Sequence, residues 1–183
     1  MHKSIQKAAL ESARELVRSL REKPLSFALA ESCTAGLASA LVGCVPGASG
    51  VLWGSFVCYT AQAKAAMLGL DQKQLESQGL VSRETACAMA KGALEKSGAD
   101  IAAAVTGLAG PDGDGSAVPV GTVWIATACR LGPANATPWA QPTVEPTAEP
   151  KAKMYHFSGT REQVRLQAAQ AMFLDLLEQV QST

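Results

Sequence analysis

The chain is expected to fold as an α/β protein, a three-layer α/β/α sandwich built on a mixed sheet. Two observations predict it. Short apolar runs with strand character alternate with segments of helical periodicity along the whole sequence. Near the carboxyl end, two strand-like runs follow one another without a clear helix between them, which predicts an antiparallel hairpin in an otherwise parallel arrangement. A length of 183 residues fits one domain, and a hydrophobic fraction of 48% can fill its core. Aromatics make up only 5%, so alanine, valine, leucine and glycine must supply most of the packing.

Taken in order, Ile5, Ala9, Ala13, Leu16, Val17 and Leu20 recur at helical spacing among charged residues, and Pro24 ends that helix. Leu25 to Ala30 reads as a buried strand, followed by a helix from about Ala35 to Val45 that Pro46-Gly47 stops. Val51 to Tyr59 is rich in β-branched and aromatic residues and predicts a second strand. Thr60 can cap a helix over Ala61 to Leu68, with Gly69 at its end, and Ser82 can cap another that runs to Ser97 before Gly98. Ile101 to Thr106 and Val118 to Ala128 are the next strands, joined by the loop from Gly107 to Gly113 and beyond. Lys153 to Phe157 is the last strand. The final helix opens on Thr160-Arg161-Glu162-Gln163, a capping-box spacing, with Val164, Ala168, Ala171, Leu174 and Val180 as its apolar face.

Between about residues 131 and 150 lie five of the nine prolines, at Pro133, Pro138, Pro142, Pro146 and Pro150. The low charge and low complexity of this stretch predict an extended or disordered insertion rather than a second core. No internal repeat is evident, so residues 1–183 are read as one domain.

Composition narrows the function. Sixteen basic residues balance sixteen acidic ones, which leaves no electrostatic footprint for nucleic acid or an anionic membrane. The five cysteines form no CxxC pair and sit in apolar or small-residue stretches, as buried thiols of a reducing compartment do. With only His2 and His156, a Cys/His zinc site lacks ligands. There is no signal-peptide pattern and no apolar run approaching the roughly 20 residues of a membrane span. A soluble, cytoplasmic protein is expected.

Four places can carry chemistry. Ser32 follows a buried strand and precedes a helix, where a serine can act as nucleophile near backbone amides that hold an oxyanion; it can equally cap the helix. Lys64 stands in the first turns of a helix among Ala61, Ala63, Ala65 and Ala66, and a desolvated lysine there can serve as a base; a solvated surface lysine is the alternative. Tyr59 can relay a proton to that lysine or orient it, or be an ordinary strand-end residue. Thr106, Gly107 and Gly110 open a glycine-rich loop whose amides can approach an anion, although it matches neither a Walker nor a dinucleotide fingerprint. Asp112 and Asp114 lack the rest of a calcium loop. Arg161 and Arg165 begin the last helix and can bind phosphate or carboxylate, or face solvent.

In combination and in order, these segments resemble the carboxy-terminal domain of the CinA (competence/damage-inducible protein) family. The matching stretches are Ala30-Glu31-Ser32-Cys33-Thr34-Ala35-Gly36, Gly54-Ser55-Phe56-Val57-Cys58-Tyr59-Thr60 through Lys64, and Val105 through Gly113. Pro119-Val120-Gly121-Thr122-Val123-Trp124 and Phe157-Ser158-Gly159-Thr160-Arg161 complete the set. The resemblance covers about residues 5 to 180.

It implies a standalone nicotinamide-nucleotide amidase, usually dimeric, without metal or cofactor. Such an enzyme hydrolyses the carboxamide of nicotinamide mononucleotide to the acid and ammonia. By position, Ser32 becomes the nucleophile, with Lys64 and Tyr59 as the base and its partner. Cys33 and Thr34 would supply oxyanion amides, and Ser49, Thr106, Gly107 and Arg161 would line the substrate pocket. A serine–lysine amidase for another small amide, or a noncatalytic nucleotide-binding module, are the alternatives. Ala35 stands where the family motif usually has glycine. Longer relatives carry a preceding domain with a pyrophosphatase-type activity, which this chain is expected to lack.

Overall fold

The structure is a computed structural model, and it describes residues 2–130 and 149–182. Five strands form one sheet: β1 (Phe27–Glu31), β2 (Leu52–Val57), β3 (Ile101–Gly107), β4 (Thr122–Cys129) and β5 (Lys151–His156). Their order is β2-β1-β3-β4-β5. β1 pairs in parallel with β2 and β3, whereas β3–β4 and β4–β5 are antiparallel. The mixed sheet and its carboxy-terminal hairpin are those expected from the sequence.

The helices are α1 (His2–Glu22), α2 (Leu37–Gly43), α3 (Ala61–Leu68), α4 (Gln72–Gln78), α5 (Arg83–Ser97) and α6 (Arg161–Gln181), with a 3-10 turn at Ala48–Gly50. Alternation along the strands sorts them into two layers. Phe27, Leu29, Ile101, Val105, Val123 and Ile125 face a core shared with α1, α2 and α6, into which Leu16, Leu20, Phe173 and Leu176 pack. The opposite parity is almost all alanine: Ala28, Ala30, Ala102, Ala104, Ala126 and Ala128 meet Met89, Ala90, Ala93 and Leu94 of α5. Small side chains on both sides let α5 lie close against the sheet, so the aromatic-poor composition still gives a filled interior.

Most boundaries follow the sequence signals. Thr60, Ser82 and Thr160 cap α3, α5 and α6 through side-chain hydrogen bonds, and the Thr160–Gln163 capping box is formed in both directions. Three differences have physical causes. α4 escapes the periodicity because it is seven polar-rich residues that bury one side chain, Leu75, behind an Asp71 cap. β4 begins at Thr122 rather than Val118, since Gly121 adopts φ +94° and a Cβ there would run into the Phe157 carbonyl. Leu174 is not on the buried face of α6. It is 49% exposed, while Asp175 is buried and accepts hydrogen bonds from Tyr155 Oη and Lys153 Nζ at 2.8 and 2.9 Å. The greater part of the proline-rich stretch lies outside the described residues.

The topology decides where a site can form. From β1 the chain passes through α2 to β2 on one side, then returns through α3, α4 and α5 to β3 on the other. The carboxyl ends of β1 and β2 therefore flank a switch point, where their connections leave toward opposite faces of the sheet and open a crevice.

Candidate active site

Ser32 is the first residue beyond β1 at that switch point. Its N–H donates to Val105 O at 3.0 Å, which continues the β1–β3 pairing by one residue. In strand parity it follows Ala28 and Ala30, so its side chain turns to the α3 side of the sheet, and it is 7% exposed. The turn from Ser32 to Gly36 is tight: Ala35 and Gly36 have φ +49° and +87°. The N–H groups of Cys33 and Thr34 have no backbone carbonyl partner among the described residues. Thr34 Oγ1 is buried and likewise unpartnered there.

Lys64 is the fourth residue of α3. Helical side chains lean toward the amino end of their helix, so its stem runs back over the first turn toward β1. It is 1% exposed, and Nζ donates to Ser32 Oγ at 2.9 Å and to Tyr59 O at 3.3 Å. Ser32 Oγ in turn lies 3.5 Å from Tyr59 O, to which it donates. No carboxylate stands within 4.0 Å of Lys64 Nζ among the described residues. Burial without a counter-charge lowers the Lys64 pKa, so its neutral amine is more accessible than that of a surface lysine. Burial also pushes the Cys33 thiol up to about 12 and the Cys58 thiol up to about 11. Both stay neutral near pH 7 and supply no anion to hold the ammonium.

Tyr59 reaches the lysine through its main chain. Its backbone carbonyl, not its phenol, touches Lys64 and Ser32. The phenol is turned outward, with the residue 51% exposed, and Tyr59 Oη accepts a hydrogen bond from Arg161 at 2.6 Å. Arg161 also donates to Gly110 O at 2.8 Å. One guanidinium thus joins the start of α6, the loop after β3 and the rim residue Tyr59, and its acceptors offset the unfavourable helix dipole.

Thr106 and Gly107 end β3 beside this cluster. Thr106 Oγ1 donates to Leu80 O at 2.7 Å, which ties β3 to the approach of α5. At Gly107 a Cβ would meet Thr122 O at 2.7 Å, so close strand contact requires the glycine. Ser49 is not brought to the cluster. It lies in the 3-10 turn ahead of β2, and because β2 runs parallel to β1 it sits at the opposite edge of the sheet from Ser32. The sequence places Ser49 ahead of the second strand and Ser32 after the first, but not the parallel pairing that sets those two ends apart.

Glu31 was missed as part of this arrangement, and Arg165, a candidate anion binder by sequence, enters it through a backbone carbonyl instead. Glu31 is fully buried, and its carboxylate accepts from Ala38 N, Ser39 N and Ser55 Oγ at 3.0, 2.9 and 3.0 Å. A lone acid closing an apolar strand was the available signal. Arg165 donates to Thr34 O through Nε and an Nη, the latter at 2.6 Å. Among the described residues no group of three or more His, Cys, Asp or Glu is placed to hold a metal ion, and no helix is long and apolar enough to cross a membrane.

A family model described as the CinA C-terminal domain matches residues 9–141, well over half of the chain. The chain belongs to the CinA C-terminal domain family. A CinA-like protein of Geobacter metallireducens is 43% identical over 150 residues, which cover 82% of this chain and 32% of that protein. A CinA-like protein of Akkermansia muciniphila is 50% identical over 125 residues, covering 68% and 30%. The chain spans about a third of the length of these curated CinA relatives. Among solved structures, the competence/damage inducible protein CihA of Agrobacterium tumefaciens superposes with a TM-score of 0.80 at 35% identity, covering 93% of this chain and 94% of that one. A CinA superfamily protein of Klebsiella pneumoniae 700603 reaches a TM-score of 0.83 at 26% identity, with 96% and 99% covered. The CinA fold thus accounts for nearly the whole chain, including β5 and α6 beyond the matched residues.

Proposed function

We propose that this CinA-family chain is an amidohydrolase that converts nicotinamide mononucleotide to nicotinate mononucleotide and ammonia, with Ser32 as nucleophile and Lys64 as base. The observation that carries the reading is the 2.9 Å contact between Lys64 Nζ and Ser32 Oγ, made by a buried lysine with no carboxylate partner among the described residues. In its neutral form Lys64 accepts the Ser32 hydroxyl proton as Oγ bonds to the amide carbon. The amides of Cys33 and Thr34 suit the developing oxyanion. Lys64 then gives its proton to the departing nitrogen, the C–N bond breaks, and ammonia leaves an acyl-enzyme. Water attacks the ester while Lys64 takes its proton and returns it to Ser32, releasing the acid.

The nucleotide phosphate matches Arg161, which Tyr59 and Gly110 hold at the rim of the cluster. The chemistry needs neither metal nor cofactor. As in the family resemblance, the enzyme is proposed to act as a homodimer in the cytoplasm.

Ammonia release from nicotinamide mononucleotide, nicotinamide and nicotinamide riboside tests the reading. The mononucleotide should be the preferred substrate, and Ser32→Ala should lower its turnover by at least about 10³-fold without loss of folding. Undiminished turnover by Ser32→Ala would overturn the mechanism, and equal rates without the phosphate would overturn the nucleotide assignment.

A further inference from the structure

Glu31 precedes the nucleophile and is fully buried, yet it touches neither Ser32 Oγ nor Lys64 Nζ within bonding distance among the described residues. A buried carboxylate is expensive unless its oxygens are satisfied, and here three donors satisfy them. Two are the Ala38 and Ser39 amides in the first turn of α2, and the third is the Ser55 hydroxyl on β2. The Glu31 backbone is engaged as well, with its carbonyl accepting from Cys58 N at 2.9 Å. Residue 31 therefore fixes three elements at once: the end of β1, the start of α2 and the exit of β2 toward Tyr59.

The nucleophile turn is closed inside that frame. Ser32 to Gly36 must reverse the chain between two points that the single Glu31 side chain joins, and it does so with two consecutive residues at positive φ. One of them is an alanine, which resists that conformation and relaxes from it when released. Arg165 holds the turn from the other side through Thr34 O. The geometry points to Glu31 as a positioning residue for Ser32: its carboxylate clamps α2 to β1 and β2, and so holds the strained turn that aims Ser32 Oγ at Lys64 and the Cys33 and Thr34 amides at the reacting carbonyl. This role rests on the serine–lysine reading and specifies what keeps the pair in register.

Glu31→Gln keeps the volume but sets an NH₂ against an amide N–H, so one side of the clamp opens. Turnover should fall by about 100-fold, the loss associated with misplacing a reacting group by about 1 Å. KM should hold within about threefold, and the midpoint of the acid limb of the pH–kcat profile should stay where Lys64 sets it. Ser55→Ala removes one donor of three from a partly exposed strand and should lower kcat about fivefold, which covers the case of Glu31→Gln failing to fold.

The rate at which phenylmethanesulfonyl fluoride labels Ser32, followed by mass spectrometry at a temperature where both variants are folded, reads the nucleophile independently of the amide substrate. Slower labelling in step with kcat supports the positioning role. If the unmodified protein labels but both variants label and turn over at its rate, the role of Glu31 is overturned. A shifted acid limb overturns positioning in favour of a charge effect on Lys64. An unmodified protein that neither labels nor hydrolyses overturns the serine–lysine reading itself, and the role of Glu31 with it.

Discussion

Lys64 Nζ lies 2.9 Å from Ser32 Oγ although the two residues come from different helix–strand junctions, 32 positions apart in the chain. Their meeting depends on β1 and β2 being parallel neighbours, which puts the carboxyl ends of both strands on one edge of the sheet. The short segment from Cys58 to Thr60 then delivers α3, and with it Lys64, over Ser32.

Removing the buried charge separates activity from stability. Lys64→Met should lower ammonia release by about 10³-fold. Thermal or urea unfolding should show it equal to or more stable than the unmodified protein, because burying an ammonium costs folding energy. Lys64→Arg should be as inactive, since a guanidinium stays protonated and cannot accept the serine proton. A Lys64→Arg variant that retains turnover would show that a neutral amine is not required.

The acidic side of the pH–rate profile should belong to Lys64. Its pKa lies below the ordinary 10.5 because burial disfavours the ammonium, so kcat should rise with pH through a midpoint below 10.5. The stability consequence has a definite sign. Between the lowered folded pKa and 10.5 the unfolded chain binds more protons at this residue than the folded one. The Lys64 penalty on folding is therefore full below the folded pKa and shrinks as pH rises toward 10.5. Urea titrations across that range should show the unmodified protein gaining stability relative to Lys64→Met as pH increases.

Tyr59→Phe should be mild. It removes the Arg161 hydrogen bond but leaves the Tyr59 carbonyl on Lys64 and Ser32. A loss of about fivefold, expressed mainly in KM for the phosphorylated substrate, matches one partly exposed hydrogen bond of about 1 kcal/mol. A drop in kcat beyond about 100-fold would instead give the phenol a part in proton transfer.

Ala35→Gly should stabilise the fold by about 0.5–1 kcal/mol. At φ +49° an alanine carries strain that glycine does not, and this exceeds the extra entropy glycine gains on unfolding. Denaturant midpoints at constant m-value give the comparison. Destabilisation would show that the turn tolerates the alanine without strain.

The layers, the caps and the residue types available for chemistry were legible in the sequence. The continuous apolar runs Leu25 to Ala30 and Ile101 to Thr106, alternating with helical segments, point to buried strands in a sheet covered on both faces. Thr60, Ser82 and Thr160 fix helix starts because capping is a local hydrogen bond. The near absence of histidine directs the search for a base to lysine. Motif order brought Ser32, Tyr59, Lys64 and Arg161 into one reading, but with no geometry attached.

Tertiary structure alone decided how those residues meet. Strand direction put Ser49 at the far edge of the sheet and Lys64 at the near one. Burial in the assembled core, a property of every neighbour at once, lowered the Lys64 pKa. The carbonyl of Tyr59 met the lysine, while its phenol met Arg161, 102 residues away. Glu31 looked like a motif letter until α2 and β2 closed around its carboxylate. Local interactions can be read from neighbours in sequence, whereas the contacts among Ser32, Lys64 and Arg161 are set by pairings between strands that the chain connects only at a distance.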